Sequence, residues 1–206
     1  MHSHSMRHPV SVLTAALALA LAIATLAPRV ALDAAATPAV VAAVPFDQRF
    51  IDMMVPHHQG AEAMARLALT RATHPQIKRL ARSIIVAQTK EIAQMRAWRR
   101  AWYGSGATPD MAHMPGLPGL MMHMDMMGAI DRLKSATPFD KAFIDAMIPH
   151  HQMAIAAARL ELAHGTHAQL KALALSIIED QAREIGLMEA YRDLWYGPGA
   201  HHMNGM

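Results

Sequence analysis

The chain has 206 residues, enough for one domain of ordinary size or two very small ones. Its formal net charge at pH 7 is +3, and its Lys and Arg residues are scattered among acidic residues, so it has no basic stripe for nucleic acid. It contains no Cys, 18 Met and 14 His, which excludes disulfides and thiolate sites and leaves thioether and imidazole as its abundant metal-binding groups.

The N-terminal segment is typical of a secretory signal peptide. Arg7 and His8 precede an apolar run over residues 10–27, and small residues follow at positions 34–36 as in a cleavage region. We assign residues 1–36 to a signal peptide and expect a periplasmic or secreted protein. Because about 18 apolar residues is the lower limit for a membrane span, membrane attachment is expected only if the leader is uncleaved.

The rest of the chain contains one internal duplication. The segment FDQRFIDMMVPHHQ begins at Phe46, and FDKAFIDAMIPHHQ begins 93 positions later at Phe139. The copies align without a gap, and more than half of their paired residues are identical. We assign residues 45–104 to the first repeat and residues 139–197 to the second.

Each repeat is predicted to form a hairpin of two helices. Asp47 and Asp140 stand where they can cap the first helix of each copy. Pro75 suits the first turn of the second helix, and Gly104 is placed to end it. One hairpin alone buries too little surface to be stable, so we predict an all-α four-helix bundle built from two duplicated hairpins.

Two adjacent histidines lie inside the first helix of each copy, at 57–58 and at 150–151. Pro56 comes before the first pair and removes one backbone donor, so a kink or local opening is expected there. Met54 is three residues from His57 and four from His58, and it shares a helix face with either one.

The second helix of each copy is predicted to present a polar face towards these histidines. The residues of this face are spaced to lie on one side of the helix: Gln88, Glu91 and Met95 in the first copy, and Gln181, Glu184 and Met188 in the second. Thioether and imidazole together suit Cu(I) and disfavour Mg, Ca or Mn, whereas zinc commonly takes Cys, which is absent. The sequence therefore indicates a pocket for copper or silver.

The linker over residues 105–138 and the tail over residues 198–206 carry the same chemistry. The linker is longer than a bundle connection needs, and we interpret both segments as flexible tethers for a soft metal. The candidate ligands of the linker are Met111, His113, Met114, Met121, Met122, His123, Met124, Met126 and Met127. The tail adds His201, His202, Met203 and Met206.

Each feature also has a structural interpretation. Met at helical spacing is more often core packing than a ligand. The His pairs could be surface residues or partners of Asp52 and Asp145, while Gln88 and Glu91 could hydrogen-bond across the bundle and fix its register. The excess of Met and His in every region favours metal binding.

The motif Phe-Asp-x-x-Phe-Ile-Asp-x-Met-(Val/Ile)-Pro-His-His-Gln, followed by Gln-x-x-Glu-Ile-x-x-Met and an aromatic-Gly end, resembles the CopM-like family, domain of unknown function 305. The resemblance implies a ferritin-like bundle that is exported, binds copper, Cu(I) above all, and sequesters or carries it in copper tolerance. We expect no enzyme activity. The expected partners are metal ions and a copper exporter or another copper-handling protein. The ligands that the resemblance implies are Met54, His57, His58, Met95, Met147, His150, His151 and Met188.

Two other classes of function stay open at this point. A ferritin-like metal-dependent oxidase or peroxidase needs inward Glu residues and Glu-x-x-His pairs. Glu91 is followed at the third position by Gln94, and Glu184 by Leu187, so neither forms such a pair. The other class is a helical adaptor whose Met-rich linker binds the apolar groove of a partner.

The leader gives the first prediction. Mass spectrometry of the exported protein should find a new N-terminus between Ala31 and Ala43, because cleavage is expected near the small residues that follow the apolar run. Recovery of the intact chain from Met1 in the membrane fraction would show an uncleaved anchor instead.

Overall fold

The computed structural model describes residues 43–118, 120 and 125–197, so the predicted leader and tail lie outside the described residues. The described part contains five α-helices: α1 (Phe46–Arg71), α2 (Pro75–Tyr103), α3 (Met126–Ser135), α4 (Phe139–His164) and α5 (Ala168–Tyr196). It contains no β-strand. α1 pairs with α2 and α4 with α5, and the two hairpins meet through α1 and α4. The prediction of an all-α bundle of two hairpins is confirmed.

The ends of α2 follow the local signals in the sequence. Pro75 opens the helix, where its missing N–H costs no hydrogen bond. Gly104 ends it with φ of 78°, a left-handed conformation that glycine adopts without a steric penalty, and its N–H donates to the Arg100 carbonyl at 3.1 Å. α1 continues as one helix through Pro56.

The prediction that Asp47 and Asp140 cap their own helices is wrong. Neither α1 nor α4 has a side-chain hydrogen bond at its N-cap. Asp140 instead accepts from the backbone N–H of Thr73 at 3.0 Å and from that of His74 at 2.8 Å, just before α2 of the other hairpin. Its carboxylate therefore caps a helix of the opposite repeat.

Residues of the first repeat bind the turn of the second repeat in the same way. Asp47 accepts from Nδ1 of His167 at 2.6 Å, just before α5. Trp102 stacks on His167 with 3.6 Å between ring centroids, and Trp195 stacks on His74 with 3.7 Å. Each hairpin thus contributes one carboxylate and one indole to the turn of its partner, so the two hairpins stabilise each other at both ends.

The described part of the linker is not a free tether, which corrects the prediction for residues 105–138. Its helix α3 packs on α1 and α4, with Ile130 and Leu133 buried in the core. Arg71 of α1 donates to the backbone oxygens of Leu133 and Ala136 at the end of α3. The sequence of the linker did not predict this helix, since only ten of its described residues are α-helical and they follow a Met-rich stretch.

A buried carboxyl group distinguishes the two ends of the bundle. Glu161 of α4 is fully buried, whereas the equivalent residue of the first copy is Ala68. Burial, followed by the hydrogen bond to Asp47 and the charge of Asp47, raises the pKa of Glu161 to about 9. Burial also raises the pKa of Asp47, but hydrogen bonds from Glu161, Thr166 and His167 outweigh it and lower that pKa to about 2. Glu161 is therefore the protonated partner at neutral pH and Asp47 the ionised one.

The buried acid predicts how stability depends on pH. The folded chain keeps a proton on Glu161 that the unfolded chain releases above a pKa of 4.5, so the stabilisation is complete below 4.5 and is lost as pH rises to about 9. Glu161→Gln removes this titration and should raise the melting temperature at pH 8 by ~2–4 °C, the shift that about 1 kcal/mol gives in a chain of this size. At pH 4 the variant and the parent should melt alike.

Thermal unfolding of the apo protein by circular dichroism from pH 4 to pH 8 measures this difference. Glu179→Gln, at an exposed position of α5, is the matched control and should leave the melting temperature unchanged at every pH. A Glu161→Gln variant that is less stable than the parent at pH 8 would contradict the protonation assigned to this residue.

Candidate metal centre

The contact between α1 and α4 brings the two predicted His pairs together. The rings of His57 and His150 lie 3.7 Å apart between centroids, at an interplanar angle of 35°. Nε2 of His150 donates to the backbone oxygen of His57 at 3.1 Å. Because the two residues hold the same position in the two copies, they mark the pseudo-two-fold axis of the bundle.

The second histidine of each pair is held by a carboxylate of its own hairpin. Nε2 of His58 lies 2.7 Å from Oε2 of Glu91, and Nε2 of His151 lies 2.7 Å from Oε2 of Glu184. The polar faces predicted on the second helices therefore do meet the histidines. A carboxylate that takes one ring N–H fixes the tautomer and leaves the other nitrogen with a free lone pair, an arrangement common around metal-bound histidines.

Both structural interpretations of the His pairs are wrong. All four imidazoles are fully buried, so they are not surface residues. Asp52 binds Arg99, with 2.6 Å between Oδ1 and Nε, and Asp145 binds Arg192 with the same distance between the corresponding atoms. These two aspartates form equivalent ion pairs within their own hairpins and do not contact the histidines.

The buried imidazoles keep nitrogen atoms without a partner. Within residues 43–118, 120 and 125–197, five such atoms have no hydrogen bond: Nδ1 and Nε2 of His57 and Nδ1 of His58, His150 and His151. Buried polar atoms are rarely left unpaired, and such exceptions often mark a site for an ion. The centre therefore presents several ring nitrogens without a partner in an apolar interior.

Burial also keeps the central rings neutral. It lowers the pKa of His57 well below the usual range, and the neighbouring His58 and His151 add to this effect. The pKa of His150 is lowered for the same reasons, first by burial and then by the other three rings. A neutral imidazole is the form that binds a metal, because its lone pair is not occupied by a proton.

The Met residues predicted as bundle ligands are buried in the two apolar clusters of the core. Met54 and Met95 belong to one apolar cluster, Met147 and Met188 to another, and all four are fully buried. These positions agree with core packing and with ligation alike, since a flexible thioether can serve both. Their role as ligands stays a prediction.

The predicted ligands of the linker divide into three groups. Met126 is buried against the bundle, and Met111 and Met114 are half-buried against the core clusters. His113 is exposed and pairs with Asp110, and Met127 is also exposed. Met121, Met122, His123 and Met124 lie outside the described residues, as do His201, His202, Met203 and Met206 of the tail.

Carboxylates take a supporting position at this centre. In the described part of the chain, no three His, Asp or Glu side chains are grouped so that they could hold one metal ion together. Glu91 and Glu184 each bind one imidazole and belong to different hairpins.

No helix in the described part of the chain is long and apolar enough to cross a bilayer.

The fold and the centre together define a class of protein, an all-α bundle of two paired hairpins with buried Met and His residues at their contact. The family model described as "Domain of unknown function (DUF305)" matches residues 47–192. The chain belongs to this family, which confirms the resemblance found in the sequence.

Solved structures give the same relationship. CopM in its Cu(I)-bound form is 39% identical, with a TM-score of 0.63, and the match covers 73% of this chain and 98% of that chain. CopM has also been solved in Ag-bound and Cu(II)-bound forms. A candidate secreted DUF305 protein from Streptomyces coelicolor is 26% identical with a TM-score of 0.64, over 77% of this chain and 98% of that chain.

A viral relative matches over a shorter stretch. Uncharacterized protein L153 of Acanthamoeba polyphaga mimivirus is 37% identical over 51 residues, which is 25% of this chain. The match spans 34% of the length of that protein.

Replacing two adjacent histidines should have opposite effects on stability, because the ring nitrogens of His57 are unpaired whereas His58 binds Glu91. His57→Leu replaces a ring with no hydrogen bond by an apolar side chain, so the apo protein should become more stable by about 1 kcal/mol, or ~2–4 °C in melting temperature. His58→Leu is the matched control, because it leaves the buried Glu91 without its partner and should destabilise the apo protein. Thermal unfolding of both metal-free variants measures this, and equal destabilisation by the two changes would show that His57 is a structural residue.

Proposed function

We propose that this protein binds Cu(I) as cargo inside its bundle and sequesters or carries it outside the cytoplasm, contributing to copper tolerance. The central observation is the close pair His57 and His150, which is buried with unpaired ring nitrogens in a core that also contains buried thioethers. Imidazole with thioether is a donor set that favours Cu(I) over hard cations. The proposed bundle ligands are Met54, His57, His58, Met95, Met147, His150, His151 and Met188.

The charge of the site supports a monovalent soft ion. Met and neutral His ligands add no charge, so a bound ion brings a positive charge into an apolar interior, which is costly unless it is compensated. Glu91 and Glu184 reach the centre through His58 and His151 and supply negative charge without being ligands themselves. The protein is accordingly proposed as a binding protein and not as an enzyme.

The comparisons support the same metal. CopM, solved with Cu(I), Cu(II) and silver, matches this chain over 98% of its own length. The signal peptide predicted for residues 1–36 supports a periplasmic or secreted location. The exposed His113 and Met127, with the linker and tail residues outside the described part, are proposed as outer ligands that pass copper to or from an exporter or another copper-handling protein.

Competition with a chromophoric Cu(I) chelator under anaerobic conditions tests the proposal. The parent should take Cu(I) from the chelator, and the double variant His57→Leu with His150→Leu should bind at least about tenfold more weakly, since each tenfold step equals about 1.4 kcal/mol of lost ligand energy. His164→Leu is the control, because this exposed residue at the end of α4 is not a proposed ligand and should leave the affinity unchanged.

Two results would contradict the proposal. Equal Cu(I) affinity of the parent and the double variant would exclude the central histidines as ligands. Tighter binding of Zn(II) than of Cu(I) by the parent at neutral pH would exclude copper as the preferred cargo.

A further inference from the structure

The two copies differ one turn beyond their central histidines. Met153 stands three residues after His150, and the equivalent residue after His57 is Gly60. Residues three apart on a helix are neighbours on its surface, so Met153 and Gly60 occupy equivalent places beside His150 and His57. Met153 is buried, with 2% of its surface exposed. The first copy has no side chain at this position.

The space above Gly60 is filled by a residue from the linker. A Cβ atom added to Gly60 would overlap the sulfur of Met126 and would lie 2.8 Å from its Cγ and 3.0 Å from its Cε. Met126 is 3% exposed. The thioether of Met126 therefore takes the place that a side chain at position 60 would have, and Gly60 is the residue that allows this approach.

Met126 is held in place from both ends of α3. At the start of the helix, Asp125 accepts from the N–H of Gly128 at 2.8 Å and caps the first turn. At its end, Arg71 of α1 donates to the carbonyl oxygens of Leu133 and of Ala136, the latter at 2.9 Å. The thioether is consequently a fixed part of the bundle interior.

With Met126 in place, three pairs of thioethers are related by the pseudo-two-fold axis. One apolar cluster contains Met53, Met54, Met95 and Met153, and the other contains Met64, Met126, Met147 and Met188. Met53 and Met64 stand outside these pairs, because their equivalents are alanines. Met54 is equivalent to Met147, and Met95 to Met188. Met153 and Met126 complete the third pair, although one comes from a repeat and the other from the linker. Core packing alone would accept any apolar side chain of similar volume at these positions.

We propose that Met126 and Met153 are equivalent thioether ligands for Cu(I) or Ag(I) beside the His57–His150 pair. The inference rests on the proposed function and adds to it a ligand that the linker carries into the bundle. The first repeat and α3 together form one half of the site, and the second repeat supplies the matching thioether from its own α4.

Leucine substitutions separate ligation from packing. Met126→Leu keeps an apolar side chain of similar volume, so the apo melting temperature should change by no more than ~2–4 °C, while Cu(I) affinity in chelator competition should fall at least about tenfold. Met153→Leu should cause a loss of similar size. Met64→Leu, at a buried Met of the same apolar cluster that is not a proposed ligand, is the matched control and should bind like the parent.

Silver binding to the parent gives a second measurement that does not depend on the folding of a variant. In a spectrum of protein labelled with ¹³C at the Met methyl groups, addition of Ag(I) should shift the Met126 and Met153 signals, and the leucine variants assign these signals. The Met64 signal should stay in place.

The outcomes distinguish this inference from the proposed function. If the parent binds Cu(I) tightly and folded Met126→Leu binds it equally well, or if the Met126 methyl signal does not move, the inference is wrong and the proposed function stands. If the parent fails to compete with the chelator, both are wrong.

Discussion

The contact between α1 and α4 is the interaction on which the rest of the molecule depends. It brings the His57 and His150 rings together in the interior, where neither ring is exposed to water. A packed apolar pair at the same place would stabilise the apo protein better, because unpaired buried nitrogens cost free energy. Both copies nevertheless have a histidine there. Sites that give up stability in this way are typical of function, and here the chemistry of the unpaired atoms is that of a metal ligand.

The same contact explains why the hairpins cannot be separated. The buried faces of α1 and α4 cover each other, and each hairpin closes its partner's turn with a carboxylate and an indole. Packing around the axis holds the His57 and His150 rings close together in the interior. The two halves are not identical, because Glu161 and Met153 have no counterpart in the first repeat. At Gly60, a residue of the linker replaces the missing thioether.

Most of the fold could be predicted from the sequence. The duplication indicates two paired hairpins, and Pro75 and Gly104 are local signals for the ends of a helix. The exchange of aspartates between the repeats could not be predicted, because Asp47 has the same local sequence pattern whether it caps α1 or binds the turn before α5 of the other repeat. The Met and His composition indicated the chemistry of the site. It did not show that Met126 belongs to the bundle, although the mismatch between Gly60 and Met153 is a signal that an outside side chain could fill the gap.

The central claim is that the metal is held inside the bundle, at the contact between α1 and α4. Crystals of the protein loaded with Cu(I) or Ag(I) test it most directly, because anomalous scattering locates the metal independently of the protein coordinates. We expect anomalous peaks beside the His57–His150 pair, within bonding distance of an imidazole nitrogen and a Met sulfur. Peaks found only on the outer surface of the bundle, with the central imidazoles still unbound, would contradict this claim.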